Sequence, residues 1–477
     1  MRTMEEHLRS DGAFTSDLAK LERYVAEEGR ELERRLLQAH LDLRAAREQP
    51  VDVRGADGIR RSARRVRPRV LLTIVGEVIV RRWAYEANGV EELHPADAAL
   101  NLPTDRYSFD EVVEQTKKIL GVAVPKRQIE ELTMRASRDF TTFYATRAVE
   151  AEDTTALLVM GFDAKGVVMR HEDLREATKK AAERSQRKLQ TRLIRGEKRN
   201  RKRMAQVATI YTIDPWERTP ADIMHDLRPV RSAAIRRPRQ VNKRVWASLE
   251  VEPGEVIEEA FAEGLRRDPG RKRQWVVLVD GNKDQLRLAK MAAKKVGVEM
   301  TIILDLIHVI EYFWKAAHRF HKAGTTAAEQ WVNQRLLALL EGRGAGAFAQ
   351  DLRRWATRRE LDEDQQKVVT DCIRYLLNNR RLLHYDRALT AGLPIATGVI
   401  EGACRHLVAD RLDTTGPGWS LRGAEAVLRL RALRSSGDFE EYWAFHLGCE
   451  YARNHEARYA DKQVPGRPWP SEPGFAA

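Results

Sequence analysis

Four short apolar runs, separated by helical segments, constrain the fold of this chain most strongly. They lie at 157–163, 207–213, 274–280 and 298–305. Their length and their β-branched residues are typical of buried strands. Strands that alternate with helices build layered sheets, so the pattern predicts an α/β core.

The first of these runs is followed by a small polar break and a second apolar segment. The break is Ala-Lys-Gly at 164–166, and the second segment is Val-Val-Met-Arg at 167–170. Glycine is common where the backbone turns. We therefore expect a strand, a turn and another strand between residues 155 and 170.

Asp163 and Asp280 end two of the apolar runs, and Asp305 ends a third. Strand ends lie at the open edge of an α/β sheet, where the sheet presents functional groups. A further acid, Glu401, lies at the edge of an apolar face in the helical segment 397–411. Three carboxylates can hold two hard divalent cations, and such a pair supports in-line phosphoryl transfer. Aspartates at strand ends also simply cap or turn the chain, so the residues alone leave both interpretations open.

The front of the chain divides into two parts. Residues 1–68 combine a charged, Leu-rich helical region with an Arg-rich linker at 50–68. Residues 69–150 combine a β-hairpin around Gly76 with two helices joined near Gly121. A helix pair of this kind can place its second helix in a DNA major groove, or can be an ordinary helical hairpin.

The remaining segments follow from changes in pattern along the chain. We expect the first part of the core at 151–310 with a basic insertion at 172–206, a helical insertion at 311–392 and the Glu401 helix within 393–445. Residues 446–477 are expected to form a C-terminal tail, which the prolines after Lys462 predict to be disordered. No run approaches the roughly 18 apolar residues of a membrane helix, and the three cysteines are too scattered for a disulfide framework. We expect a cytoplasmic protein without a membrane partner.

Basic residues outnumber acidic ones by 83 to 70, which gives a formal net charge of +13. A polyanionic partner is plausible because each phosphate neutralised by Lys or Arg releases counterions. The basic run at 179–203 is either a solvated helix face or a phosphate contact, and its sparse acids favour the contact. The DNA-binding candidates are Lys198, Arg199, Arg201, Lys202 and Arg203, with Arg405 and His406 beside Glu401.

Four strings resemble the ISKra-type insertion-sequence transposases, which belong to the Mutator-like DDE group. They are GFDAKGVVMR at 161–170, VDGN at 279–282, DLIH at 305–308 and TGVIEGACRHLVADRL at 397–412. The resemblance spans residues 70–443. It implies an RNase H-like catalytic core with Asp163, Asp280 and Glu401 as the catalytic, metal-binding triad. That core would carry an all-α insertion and follow a mainly helical DNA-binding region with a small β-hairpin.

The resemblance also implies the cofactors, the partners and the reaction. Two Mg²⁺ or Mn²⁺ ions would support cleavage of transposon-end DNA and transfer of the 3′-hydroxyl into target DNA. Asp305 and His308 match an auxiliary signature of the group, although Asp305 also competes with Asp280 as the second ligand. Relatives often carry cysteine pairs near the hairpin, but residues 83–94 have none, so we predict no zinc.

Double-stranded DNA and further copies of the chain are the expected partners, and nucleoid association follows from DNA binding. A dimer or a higher oligomer is expected because two transposon ends must be held together. Two other functions stay open: a non-catalytic, transposase-derived DNA-binding protein and an RNase H-like nuclease without strand transfer.

Overall fold

A computed structural model describes residues 2–16, 18–73, 75–103, 126–184, 201–227, 237–396, 398–413 and 418–465. The chain forms two compact units. The terminal unit comprises residues 1–145 and 440–477, and the central unit comprises residues 146–439. The first helix expected near Gly121, at 109–120, lies outside the described residues, as does most of the basic run.

The terminal unit contains one long helix, several short helices and a β-hairpin. Its helices are Arg2–Leu8, Asp11–Phe14, Leu18–Ala46, Pro95–Ala99, Lys126–Ala136, Phe140–Thr146 and, near the C-terminus, Phe439–Asn454. Its strands are β1 (Val53–Arg54), β2 (Arg60–Arg61), β3 (Ala63–Thr73) and β4 (Gly76–Glu86). Strands β3 and β4 pair along their whole length, and Thr73 opposite Gly76 closes the hairpin.

Two expectations about the terminal unit are wrong. The segment 50–68 is not only a linker, because β1, β2 and the first half of β3 lie within it. Residues 446–462 are not a separate tail, and the residues after 465 that were expected to be disordered lie outside the described residues. The C-terminal helix (Phe439–Asn454) continues through the first of residues 446–462, and Tyr459 is buried with Val53 and Tyr85. A local apolar period is weak there, and burial comes from residues far away in the chain.

The central unit is built on a five-stranded mixed sheet. Its strands are β5 (Leu157–Val168), β6 (Lys202–Ile213), β7 (Val241–Ser248), β8 (Trp275–Val279) and β9 (Met300–Leu304). The spatial order is β7-β6-β5-β8-β9. Strand β6 is antiparallel to β5 and β7, whereas β5, β8 and β9 are parallel. The sheet therefore places β5 at its centre and supports the expected α/β class.

The first apolar run is part of one continuous strand, so the expected turn at 164–166 is wrong. The expected position of Asp163 at a strand end is also wrong, because Asp163 lies within β5. Pairing with β6 runs without interruption from Leu157 opposite Ile213 to Val168 opposite Lys202. Strand β6 also begins at Lys202, five residues before the expected run, which shortens the basic insertion. The hydrogen-bonded ladder supplied by a distant strand overrides the local preference of Ala-Lys-Gly for a turn.

Helices cover both faces of the sheet. On one face, Phe261 of the helix Pro253–Arg267 stacks on Phe162 and Trp275, with ring centroids 6.4 and 6.0 Å apart. On the other face, Ile400 and Leu407 belong to a buried apolar cluster with residues of β5, β6 and β7. Successive side chains of a strand point to opposite faces, so Gly161 and Asp163 share the second face.

The other helices of the central unit flank the sheet and follow β9. Two of them are the short helices Glu176–Arg184 and Pro220–Asp226. The helix Lys283–Val296 connects β8 to β9. Five helices then occupy the region of the expected insertion: Leu306–Phe320, Thr326–Leu340, Ala345–Arg358, Glu363–Asn378 and Tyr385–Thr390. The unit ends with Gly398–Ala403, a π-helical turn at Cys404–Ala409, Asp410–Leu412 and Leu421–Ser436. Within the described residues, no helix is both long and apolar enough to cross a bilayer.

Candidate active site

Asp163 lies within β5 on the face that the Glu401 helix (Gly398–Ala403) covers. Its Oδ1 accepts a hydrogen bond from the amide of Ala164 at 2.6 Å. Its Oδ2 accepts one from the thiol of Cys404 at 3.1 Å. The side chain is half-buried. The carboxylate is thus oriented by its own strand and by the turn that follows the Glu401 helix.

Asp280 is the first residue after β8, the parallel neighbour of β5. Its Oδ1 accepts a hydrogen bond from the amide of Asn282 at 2.7 Å, and Asn282 caps the helix Lys283–Val296. Between them, Gly281 has a φ of +93°, which a glycine adopts without strain. The turn therefore holds the Asp280 carboxylate at the end of the strand.

Two tyrosines fix the backbone of Asp280. The hydroxyl of Tyr375 donates to the Asp280 carbonyl oxygen at 2.9 Å. The Tyr375 ring stacks on Tyr312, with centroids 3.9 Å apart and an interplanar angle of 12°. Tyr375 and Tyr312 come from two helices that follow β9, so the helical region helps to build the site.

Glu401 reaches the site because its helix packs directly on the central strand. A Cβ atom built on Gly161 would lie 3.4 Å from Cβ of Ile400 and 3.0 Å from Oγ1 of Thr209. The glycine therefore allows the Glu401 helix to approach β5 two residues before Asp163. A π-helical turn begins at Cys404. Such turns often accompany functional sites because they re-aim nearby side chains.

The charge of Asp163 affects the pKa values of both Asp280 and Glu401, which indicates that the three acids lie in one region. Burial raises the pKa of Asp280, and the negative charge of Asp163 adds to the rise. Burial also raises the pKa of Glu401, with further contributions from the charges of Asp305, Glu311 and Asp163. Among the described residues, no Lys or Arg forms a salt bridge with Asp163, Asp280 or Glu401. The site is therefore a partly buried concentration of negative charge.

The donor set suits a hard divalent cation. All three groups offer carboxylate oxygens, which Mg²⁺ and Mn²⁺ prefer over softer ligands. A bound cation would also offset the burial and the repulsion that raise the pKa values of Asp280 and Glu401. Within the described part of the chain, the three carboxylates are not among the groups whose ligand atoms all lie within 4.8 Å of one another. The ligand atoms of the three acids therefore do not converge within that distance.

The auxiliary residues Asp305 and His308 have different surroundings. Asp305 is buried at the end of β9, and its side chain caps the helix Leu306–Phe320 by accepting the amide of Ile307 at 2.9 Å. His308 is half-buried, and it partly offsets the rise in the pKa of both Asp280 and Glu401. The cap gives Asp305 a structural role, while His308 lies near the acids.

The DNA-binding candidates differ in their exposure and in the contacts that they make. Lys198 and Arg199 lie outside the described residues. Arg201 is exposed, and the Lys202 ammonium lies 3.3 Å from the Asp413 carboxylate. Arg203 is partly buried and donates to the carbonyl oxygens of Leu249 and Asp173. Arg203 therefore ties β6 to neighbouring segments.

Arg405 and His406 are exposed on the π-helical turn. Both face Asp410: the Arg405 Nε lies 3.7 Å from its carboxylate, and the His406 Nδ1 lies 2.9 Å from it. The carbonyl oxygen of His406 accepts hydrogen bonds from Arg431. The two side chains are solvent-accessible beside Glu401, and each also has an acidic neighbour.

A second acidic cluster lies in the terminal unit, where the sequence indicated none. Ligand atoms of Asp139, His446 and Glu450 lie within 4.8 Å of one another. Arg453 donates to both carboxylates, at 2.5 Å to Asp139 and 2.7 Å to Glu450, and Arg138 donates to Glu450 at 2.6 Å. The two guanidinium groups neutralise the acids, so this cluster is a buried ion-pair network that joins the C-terminal helix to residue 139.

Cys404, Tyr375 and Tyr312 are contributors to the candidate site that sequence reasoning missed. Cys404 follows Glu401 by three residues, a spacing that puts both on neighbouring positions of one helix. That spacing was the available signal for a thiol near the site. The tyrosines carried no comparable signal because their positions depend on how separate helices pack.

Comparison of the chain with protein-family models, with curated proteins and with solved structures gives no match. Any functional conclusion therefore depends on the geometry and chemistry of the site and on the sequence resemblance.

Proposed function

We propose that this protein is a DDE-type DNA transposase of the ISKra type, with Asp163, Asp280 and Glu401 as its catalytic residues. The observation that carries the proposal is the packing of the Glu401 helix on Gly161 of β5. This contact brings an acid that is distant in sequence to the face of β5 that carries Asp163, beside the strand that Asp280 follows.

The arrangement of the sheet supports an RNase H-like core as part of the proposal. The first three strands form an antiparallel meander, and β8 and β9 add in parallel on the other side of β5. The central strand then carries Asp163, and its parallel neighbour ends at Asp280. Acids on adjacent strands and on a covering helix can approach the same metal ions.

The proposed roles follow from the contacts. Asp163, Asp280 and Glu401 would bind two Mg²⁺ or Mn²⁺ ions, which when bound activate the attacking hydroxyl and stabilise the leaving oxygen. Cys404 orients the Asp163 carboxylate through its thiol. Asn282 and Tyr375 hold Asp280 in place through its side chain and its carbonyl oxygen. Arg201 is exposed just before β6, and Arg405 and His406 are exposed on the π-helical turn; all three are proposed to contact DNA phosphates.

The proposal is tested by cleavage of DNA that carries the ends of the element, in the presence of Mg²⁺. Asp163→Asn, Asp280→Asn and Glu401→Gln should each slow cleavage by at least about 100-fold, because metal-mediated charge stabilisation contributes several kcal/mol. DNA binding should persist, since these residues contact metal and not phosphate. Full activity of any one variant would remove that residue from the triad.

Asp305→Asn is the matched control. Asparagine is as good an N-cap as aspartate, so the variant keeps the start of the helix Leu306–Phe320 and removes only a charge. We expect it to retain most of its cleavage activity. A loss as large as that of Asp280→Asn would identify Asp305 as the second metal ligand instead.

The same assay separates the two other functions. Joining of the cleaved 3′ ends to a second DNA indicates a transposase, whereas cleavage without joined products indicates a nuclease. Binding without cleavage at any Mg²⁺ or Mn²⁺ concentration indicates a non-catalytic DNA-binding protein. The half-buried, uncompensated acids favour an enzyme, because a pure binding protein gains nothing from retaining them.

A further inference from the structure

The long helix (Leu18–Ala46) of the terminal unit has a packed face and an exposed apolar face. On the packed face, Leu37 and Leu41 contact the apolar core of the hairpin. The Gln38 amide on that side donates to the Ile79 carbonyl oxygen at 2.9 Å, and its oxygen accepts the Ile79 amide at 2.8 Å. The exposed face carries four large apolar side chains: Leu18 (71% exposed), Val25 (43%), Leu36 (64%) and Leu43 (58%).

These four side chains form a narrow line, here called the apolar stripe. An α-helix turns by about 100° per residue, so steps of seven, eleven and seven residues return to within about 20° of the same direction. Leu41 points about 150° away from that line. At roughly 1.5 Å per residue the apolar stripe is about 38 Å long. The two faces of the helix are thus nearly opposite, and each is apolar.

The four side chains of the apolar stripe have the same sequence spacing when counted from either end of the helix. Leu18 and Leu43, and likewise Val25 and Leu36, are symmetric about the midpoint between residues 30 and 31. A two-fold axis at that midpoint would place Leu18 against the partner's Leu43 and Val25 against the partner's Leu36. Isologous dimers require such a self-complementary surface.

The centre of the apolar stripe leaves room for a second helix to approach closely. Gly29 lies on the line, and a Cβ atom at Gly29 would meet nothing within 4 Å. Under the same two-fold axis, Gly29 lies opposite the partner's Leu32. The missing side chain leaves a hole for that leucine, as knobs-into-holes packing requires.

The charges beside the apolar stripe distinguish the two possible orientations. Glu28 and Arg35 lie on the same flank of the helix. In an antiparallel pair, Glu28 faces the partner's Arg35, and symmetry makes this favourable contact twice. In a parallel pair, Glu28 would instead face the partner's Glu33, which is repulsive.

We propose that the apolar stripe is a dimerisation surface that binds a second copy of this chain in an antiparallel helix pair. The surface belongs to the protein alone and does not require DNA. It would provide the two joined copies that a transposase uses, but the inference depends on the helix and not on the proposed function.

The test is the mass of the full-length protein in solution, measured by light scattering without DNA and over a range of concentrations. The wild type should approach twice the mass of one chain as its concentration rises. Leu36→Glu with Leu43→Glu should reduce the protein to a monomer. Arg30→Gln with Arg44→Gln is the control, because both are exposed off the stripe and the net charge changes equally.

A monomeric wild type at all concentrations would overturn the proposal, as would a dimer that survives Leu36→Glu with Leu43→Glu. Circular dichroism of each variant shows whether the long helix is retained. Cleavage assays of the same variants are independent of this readout, so failure of the dimer and failure of the proposed function are distinguishable.

The orientation is tested by disulfide trapping. A mixture of Val25→Cys protein and Leu36→Cys protein should cross-link between the two variants, and neither variant alone should do so efficiently. Efficient cross-linking of Val25→Cys protein alone would indicate a parallel pair and overturn the antiparallel assignment. Wild-type protein under the same oxidising conditions controls for the native cysteines.

Discussion

At the scale of single residues, the candidate site consists of carboxylates held in an unfavourable environment. Asp280 and Glu401 are partly buried, and each is close enough to other acids for its pKa to rise. Groups of this kind reduce stability and persist where they serve a function. Asp305 shows the contrast, because its side chain caps a helix.

The stability of the metal-free protein should depend on the charge of Asp280. Its pKa is raised in the folded protein, so the folded state binds the proton more tightly than the unfolded state does. Asp280 is therefore least destabilising below its pKa in the unfolded chain, which is about 4. The free energy of unfolding falls as the pH rises through the higher pKa of the folded state. We predict that Asp280→Asn raises the Tm at pH 7 in the presence of a chelator, and that the gain shrinks toward pH 4.

Thermal unfolding across this pH range, with and without Mg²⁺, checks the prediction. Added Mg²⁺ should stabilise the wild type by mass action and leave Asp280→Asn almost unchanged. A Tm of Asp280→Asn below that of the wild type at pH 7 without metal would contradict the sign of the effect.

Cys404 should act as a positioning residue for Asp163. Its thiol donates to the carboxylate, and partners that orient metal ligands typically contribute about 10–100-fold in metal affinity or activity. We predict that Cys404→Ala raises the Mg²⁺ concentration needed for half-maximal cleavage by roughly 10-fold or more, and that Cys404→Ser, which keeps a donor, has a smaller effect. Cys372→Ala is the control, since Cys372 is buried on the helix Glu363–Asn378. Equal metal requirements for Cys404→Ala and Cys372→Ala would refute a positioning role.

At the scale of elements, the Glu401 helix is positioned by contact with a glycine instead of by a connecting loop. The contact between Ile400 and Gly161 and the burial of Leu407 and Cys404 hold the helix and its π-helical turn on β5. The approach of the helix therefore depends on the absence of one side chain in the central strand.

Gly161→Val should displace the Glu401 helix. A new side chain would press on Ile400 and Thr209, and overpacking of this kind costs about 1–3 kcal/mol. Even a displacement of about 1 Å can reduce catalysis by about 100-fold. Gly166→Val is the matched control in the same strand, because a Cβ atom there would be crowded by the side chains of Lys202, at 2.8 Å, and Met204, at 3.3 Å, and not by the Glu401 helix. Cleavage and urea unfolding are measured for both, and equal cleavage rates would contradict the proposed dependence on Gly161.

At the scale of the whole molecule, the two ends of the chain fold together. The Tyr442 hydroxyl donates to the Ala136 carbonyl oxygen at 2.6 Å. Glu450 is fully buried and pairs with Arg138. Tyr459 lies in the same apolar cluster as Tyr85. A fragment of the first 150 residues alone therefore lacks part of its own core, and a test of its DNA binding must retain residues up to 465.

Ending the chain after Asp438 should unfold the terminal unit and leave the central sheet intact. The truncation removes the partners of Ala136, Arg138 and Tyr85 together. We expect faster hydrogen exchange throughout the helix Lys126–Ala136 and β4, with exchange in β5 and β8 unchanged. A chain that ends after Pro465 is the control, because it keeps all these contacts. Unchanged protection of Lys126–Ala136 after the shorter truncation would show that the C-terminal helix is dispensable.

The sequence by itself determined the features that depend on consecutive residues. The long helix, the hairpin, the apolar run that carries Asp163 and the strand that precedes Asp280 follow from hydrophobic period and turn residues, which are local properties. The tertiary structure alone decided the rest. Strand β5 runs through Ala164 because β6 supplies a distant ladder of hydrogen bonds. Cys404 meets Asp163 because a helix packs where a glycine leaves space, and no local pattern records contacts between residues so far apart in the chain.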